Sequence, residues 1–383
     1  MKRFAFMIHP RIAEDIGRRA GKMLRIGEDL GMRLLPEGPA EWLIKHLSGR
    51  LGFTVCSHFY VRDQAEGWII AILLTGKQMR TLPIGFVQKR ILDGILYAQN
   101  ELGVERVGLG AYTAPMTKNG LAVVEDPRIK IPVTHGDALS GTSGVEAVKE
   151  VAALRNITIE SSTIAIVGSY GIVGRPMSIL LSELGPKKMI LTGPRVTLLN
   201  KLKGEMGQYY GGEIFVSNDN SVIKEADIIV LTTTSAGSIV SQEMLKQDAV
   251  VIDMAQPHNM GKEVCLARPD VLRVDGGYMS IPGINLRFSM GPPRETTFAC
   301  LTETMLSTLL DDKENHVGPV DIRFAKRVYP MAKSVGFELA PLTNFSQPIS
   351  QPVEVVDLVL GKASRQTAPP SSWKLAMQKL GLL

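Results

Sequence analysis

The stretch that decides the fold reads Thr163-Ile164-Ala165-Ile166-Val167-Gly168-Ser169-Tyr170-Gly171-Ile172-Val173-Gly174, continuing into Met177-Ser178-Ile179-Leu180-Leu181. Residues 163–167 are β-branched or apolar throughout and predict a strand buried on both faces. Glycines then recur at every third position, and the amphipathic run after them predicts a helix. A second strand, Lys188-Met189-Ile190-Leu191-Thr192, follows on schedule and ends in Gly193-Pro194-Arg195. A strand–turn–helix–strand unit of this kind suits a dinucleotide. Glycines let the backbone approach a pyrophosphate, and the helix N-terminus stabilises its charge. The G-x-x-G-x-x-G spacing is weak by itself, and its place between a strand and a helix gives it specificity. Gly168, Ser169, Tyr170, Gly171, Ile172, Val173 and Gly174 are therefore the expected cofactor-binding residues.

The end of the second strand selects the cofactor. A carboxylate there binds the ribose 2′-hydroxyl of NAD, whereas an arginine suits the 2′-phosphate of NADP. This chain has no acid at that point; it has Thr192 and Arg195, which predicts NADPH. The alternative for Arg195 is an ordinary solvated side chain. Thr233, in Thr232-Thr233-Thr234-Ser235-Ala236-Gly237 after the fourth strand, is added to the cofactor set.

Further strands are expected at Ile214–Val216, Ala226–Leu231, Ala249–Asp253 and Val271–Asp275, alternating with helices. That alternation predicts a parallel sheet with covered faces. Upstream, short strands are expected at Phe4–Ile8, Phe53–Val61 and Trp68–Leu74, with helices at Ala13–Arg25 and Pro83–Leu102. The fold class is α/β: a Rossmann-type doubly wound parallel sheet with an N-terminal α/β substrate domain. The expected divisions are a substrate domain at 1–155, a nucleotide domain at 156–295, helices packing back on the first domain at 296–340, and an extension at 341–383. In that extension Trp373, Ala376, Met377 and Leu380 share a helix face. Docking on its own domain is the first expectation for it, and peripheral membrane contact the second.

Hydrophobic content of 45% with 21% charged residues is that of a soluble globular protein. No apolar run is long enough to span a membrane, and the start Met1-Lys2-Arg3 leads into too short an apolar stretch for a signal peptide. Cys56, Cys265 and Cys300 make neither a disulfide framework nor a zinc pattern, so a reducing cytoplasm is expected. The net charge is +5, with clusters at Arg18, Arg19, Lys22 and Arg25 and at Lys77, Arg80, Lys89 and Arg90. Only 6% of residues are aromatic, which disfavours nucleic acid and favours an acidic or phosphorylated partner. The histidines show no metal-ligand spacing, and no bound metal is expected.

Cys300 is the side chain with the most chemistry. It lies off the stripe Phe298, Leu301, Met305, Leu309, beside Thr297, Thr304 and Ser307, early in a helix that follows Pro292-Pro293-Arg294. The macrodipole and Arg294 are expected to favour a thiolate there. A thiolate beside NADPH points to thioester chemistry, with a buried inert cysteine as the alternative. His9 follows the first strand and is expected to reach the cleft, whereas His135, His258 and His316 read as surface histidines.

The chain resembles the long-chain acyl-(acyl-carrier-protein) reductases, which make fatty aldehydes from acyl thioesters, over roughly residues 4–340. The resemblance rests on Phe4-x-Phe6-Met7-Ile8-His9, the helix containing Lys89, Thr134-x-Gly136-Asp137, the glycine turn and Leu191-Thr192. Its most specific part is Phe298-Ala299-Cys300-Leu301-x-Glu303-x-Met305-Leu306. Asp137 stands where that family usually has Asn, and the tail beyond about Gln347 has no counterpart. The resemblance implies that Cys300 accepts the acyl group from acyl carrier protein or acyl-CoA, and that NADPH reduces it to the aldehyde. Lys89 and His9 are carried as candidate catalytic groups, with solvated or structural roles as their alternatives. Thr113-Ala114-Pro115 with Lys118 resembles instead a fragment of the shikimate dehydrogenases, which would imply NADP-dependent oxidation of an alcohol. A non-catalytic NADP-binding sensor is the third reading.

Overall fold

Two parallel-stranded sheets organise the chain. The computed structural model describes residues 1–10, 52–235 and 237–349 of the 383. The expected helix at Ala13–Arg25 with its cations, and the tail helix bearing Trp373, lie outside the described residues. Residues 1–346 form one compact unit, and residues 347–383 a second.

The first sheet contains β1 (Lys2–Ile8), β2 (Phe53–Val61), β3 (Ala65–Ile72), β4 (Arg106–Leu109) and β5 (Val133–Thr134) in the order β2-β3-β1-β4-β5. β1 is parallel to β3 and β4, and β5 is parallel to β4; only β2 runs against its neighbour. Phe4, Ala5, Phe6 and Met7 are all buried, because the central strand is covered on both faces. Helix α1 (Ile84–Asn100) presses Val87, Ile91, Ile95 and Ala98 onto one face. Ile84, in the first turn, stays exposed.

The second sheet holds all six expected strands: β6 (Thr163–Val167), β7 (Lys188–Thr192), β8 (Glu213–Ser217), β9 (Ile228–Leu231), β10 (Val250–Asp253) and β11 (Leu272–Asp275). The order is β11-β10-β9-β6-β7-β8, parallel throughout. Strand order reverses at β6, and the glycine turn follows β6, where ligands bind in open α/β sheets. Helix α2 (Asp137–Leu154) joins the two sheets and packs on α3 (Gly174–Ser182). Helix α4 (Val196–Met206) follows β7.

A small antiparallel sheet closes the arrangement: β12 (Tyr278–Ser280) between β13 (Thr296–Phe298) and β14 (Glu338–Leu339). β13 was not expected. Its β-branched Thr296 and Thr297 pair with β12, so the next helix, α5, starts at Ala299 and runs to Leu309 rather than starting near Glu295. α5 packs on the first sheet and on α2, and α6 (Ile322–Ser334) packs mainly on α2. Among the described residues no helix is long and apolar enough to cross a membrane.

Candidate active site at the facing sheet edges

Helix α5 runs down the first sheet. Near its C-terminus Lys2 Nζ donates to the Leu309 carbonyl at 3.0 Å, beside the start of β1. Its N-terminus therefore reaches the opposite edge, where the first-sheet strands end, and Cys300 is its second residue. The fit there is close. A β-carbon on Gly136 would lie 2.3 Å from Cys300 Cα and 2.5 Å from its Cβ, and Gly136 has φ +76°. The Gly of Thr134-x-Gly136-Asp137 is thus required both by its backbone and by the cysteine.

Glu303, one turn after Cys300, locks the contact. It is buried, accepts from Thr134 Oγ1 at 2.5 Å and from the Leu139 amide at 2.8 Å, and so caps α2. Thr134 Oγ1 in turn accepts from the Gly136 amide at 3.1 Å. Thr304 fills the space against Gly108 of β4. From the other sheet, the Gly277 carbonyl accepts from the Ala299 amide at 2.8 Å, just ahead of the cysteine.

The thiolate expectation is corrected. Cys300 is half-buried, but burial, helped by the nearby charges of Asp137 and Glu303, pushes its thiol up to about 12. The amides of Leu301 and of Cys300 itself oppose this and are outweighed. Arg294 is exposed and is not among the groups acting on the sulfur.

His135 is also corrected, since it is a buried residue behind Asp137. Its Nδ1 lies 2.9 Å from Asp137 Oδ2, and its Nε2 3.1 Å from the Gly318 carbonyl. His316 is largely buried too, stacked on Phe324 with ring centroids 3.7 Å apart and bonded to Asp312 at 2.6 Å. His258 is partly buried against Arg273, Nδ1 to guanidinium 2.8 Å.

His9 is buried just past the end of β1. Nδ1 faces the Pro10 carbonyl at 2.7 Å, and the ring lies 5.4 Å from that of Tyr112. Tyr112 carries the Arg80 guanidinium on its ring, 5.5 Å to the centroid, and donates to the Thr234 carbonyl at 3.2 Å, joining the two sheet edges. Lys89 does not belong here. It is exposed on α1 and paired with Asp93 at 2.9 Å, as the solvated alternative had it. Lys118 is also exposed, on a turn with φ +54°.

The cofactor turn fits a pyrophosphate. Gly168 has φ +84°, and a β-carbon on Gly174 would lie 2.2 Å from the Gly168 carbonyl, so the start of α3 sits directly on the turn. Within the turn the Gly171 amide donates to the Gly168 carbonyl at 2.9 Å, and the Arg175 and Met177 amides donate to the Gly171 and Val173 carbonyls at 2.8 and 3.2 Å. Tyr170 lies over Gly193, its hydroxyl accepts from the Arg195 amide at 3.2 Å, and its ring carries the exposed Arg195 guanidinium at 5.4 Å from the centroid. Three of the predicted side chains have protein partners. Thr192 is buried and donates to Asn220 Oδ1 at 2.7 Å; Ser169 is buried with Oγ 3.3 Å from the Thr192 carbonyl; Thr233 donates to Asn259 Oδ1 at 2.6 Å. Sequence reasoning missed Glu303 and His135 as members of the site; a carboxylate inside an otherwise apolar or small-residue helix was the available signal.

Residues 150–275 match the family model for shikimate/quinate 5-dehydrogenase. The chain is 24% identical over 273 residues to the aminotransferase PigE of a Serratia species, covering 69% of this chain and 31% of that protein. It therefore spans about a third of PigE. It is 27% identical over 253 residues to the long-chain acyl-[acyl-carrier-protein] reductase of Synechococcus elongatus, covering 63% of this chain and 70% of that one. Among solved structures, the nucleotide-binding domain of glutamyl-tRNA reductase from Thermoplasma volcanium aligns at 20% identity and a TM-score of 0.26, covering 35% of this chain and 84% of that chain. The matched segment spans the whole second sheet, whose strand order and glycine turn are those of a Rossmann-type doubly wound fold.

Proposed function

We propose that the protein reduces a long-chain acyl thioester, carried by acyl carrier protein or coenzyme A, to the fatty aldehyde, with Cys300 holding the acyl group. The observation that carries this reading is the seating of Cys300. A half-buried cysteine occupies the first turn of α5, its backbone pressed on Gly136, at the sheet edge joined through Tyr112 to the loop beside the cofactor turn. The likeness to the Synechococcus reductase supports the same assignment.

In the first step the Cys300 sulfur, having lost its proton, bonds to the acyl carbon, and the carbon–sulfur bond to the carrier breaks. The carrier leaves as a thiol, taking up one proton. The Leu301 amide already points at the sulfur and helps it hold negative charge. The backbone of 168–174 and Arg195 would hold NADPH, which would supply hydride to the acyl carbon; the bond between that carbon and the Cys300 sulfur then breaks. Cys300 then regains its proton as the aldehyde leaves.

The test is intact-mass spectrometry after incubation with a long-chain acyl thioester, without NADPH, with Cys300→Ala alongside. A single acyl increment on the wild type, absent from the variant and discharged as aldehyde on adding NADPH, is the expected result. No increment with either carrier-bound or coenzyme A thioesters overturns the reading.

A further inference from the structure

His135 and Asp137 flank the glycine that touches Cys300, one on each side in sequence. The Gly318 carbonyl fixes His135 Nε2 as a donor. Nδ1 therefore faces two groups, the Asp137 amide at 3.1 Å and the Asp137 carboxylate at 2.9 Å. It can satisfy only one of them at a time. A neutral imidazole accepts from the amide and leaves the carboxylate with its full charge. An imidazolium donates to the carboxylate and makes the pair neutral. The two states differ by one unit of charge beside the sulfur, in a site where little water screens it.

We propose that His135 and Asp137 act as one titrating pair that sets when Cys300 can carry negative charge, Asp137 restraining the nucleophile until His135 is protonated. This rests on the thioester reading for its purpose, though not for its test. The charged groups facing the sulfur are Asp137, from the first turn of α2, and Glu303, from its own helix. Those facing His135 are Asp137 and Glu303, with the Gly318 carbonyl. Burial pulls the His135 imidazole down, but Asp137 first, then Glu303 and the Gly318 carbonyl, more than reverse it, and the net shift is upward from 6.5. Glu303 is committed to Thr134 and Leu139, which leaves Asp137 as the member whose charge is adjustable. Both are positioning residues that act through the cysteine.

The experiment is alkylation of the full chain by iodoacetamide, followed at the Cys300 peptide across a pH series without any acyl donor. The proteins are wild type, Asp137→Asn, His135→Gln and the double variant. Asp137→Asn is expected to alkylate about tenfold faster near neutral pH, equivalent to lowering the thiol by about one pKa unit. His135→Gln, which leaves Asp137 permanently charged, is expected to be slower than wild type, and the double variant to match Asp137→Asn. Coincident profiles for Asp137→Asn and wild type overturn the proposal, as do additive effects in the double variant. If His135→Gln fails to fold, the Asp137→Asn comparison decides alone. Because no thioester is present, failure of the acyl-transfer reading leaves this result standing, and failure here leaves acyl transfer standing.

Discussion

Gly136 and Cys300 are in backbone contact: there is no room between them for a methyl group. Gly136→Ala must therefore move α5 or the end of β5, and must also hold alanine at φ +76°. Overpacking costs about 1–3 kcal/mol and the left-handed backbone about 1 kcal/mol more. A loss of about 2–4 kcal/mol in urea unfolding is expected, together with a changed alkylation rate at Cys300.

Glu303 provides a graded case. Glu303→Ala leaves the Thr134 hydroxyl and the Leu139 amide without their buried acceptor, at about 2–4 kcal/mol. Glu303→Gln keeps one acceptor for the amide and offers its NH2 to the hydroxyl, so about 1 kcal/mol is expected. Equal losses in chemical denaturation would show that the carboxylate's charge, not its hydrogen bonds, matters.

Arg273 is buried between two buried carboxylates, 3.1 Å from Asp253 and 2.7 Å from Asp275, with Phe345 stacked on it at 4.0 Å from ring centroid to Cζ. Asp275 also accepts from Thr343 Oγ1 and from the Ser346 amide. Arg273→Met strands both carboxylates, and a loss of about 3–5 kcal/mol is expected in denaturant unfolding. The strap at 343–346 should become susceptible to limited proteolysis in the same variant.

Arg195 is exposed and stacked on Tyr170, free to turn its guanidinium to a phosphate. Arg195→Ala is expected to weaken NADPH binding by about ten- to a hundredfold, the worth of a charge-assisted hydrogen bond, and to leave NADH unchanged. Fluorescence titration with both cofactors checks it; parallel losses would place the selectivity elsewhere.

The nucleotide sheet was legible because its information is local. β6 and β7 have the bounds read from their apolar runs, since a strand covered on both faces writes itself as a continuous apolar stretch. The cysteine's surroundings were less legible, because they are made by residues far apart in sequence. β13 is a three-residue strand fixed by β12, and no periodicity announces it. His135 is buried by Gly318, 183 positions away, and so read as a loop histidine. Thr192 and Thr233 were assigned to the cofactor by type, but each had a nearer partner, Asn220 and Asn259, that single-sequence reading does not reveal.

The Ala299 amide is anchored to Gly277, just past the last strand of the nucleotide sheet, while Gly136 and Gly108 hold the same helix from the substrate sheet. The Cys300 sulfur thus stands on a bracket with a foot in each half of the molecule. Neither half is a transferable module: excising the dinucleotide-binding segment as a free-standing piece removes one footing of the cysteine, and grafting the cysteine helix onto another cofactor domain requires rebuilding the other.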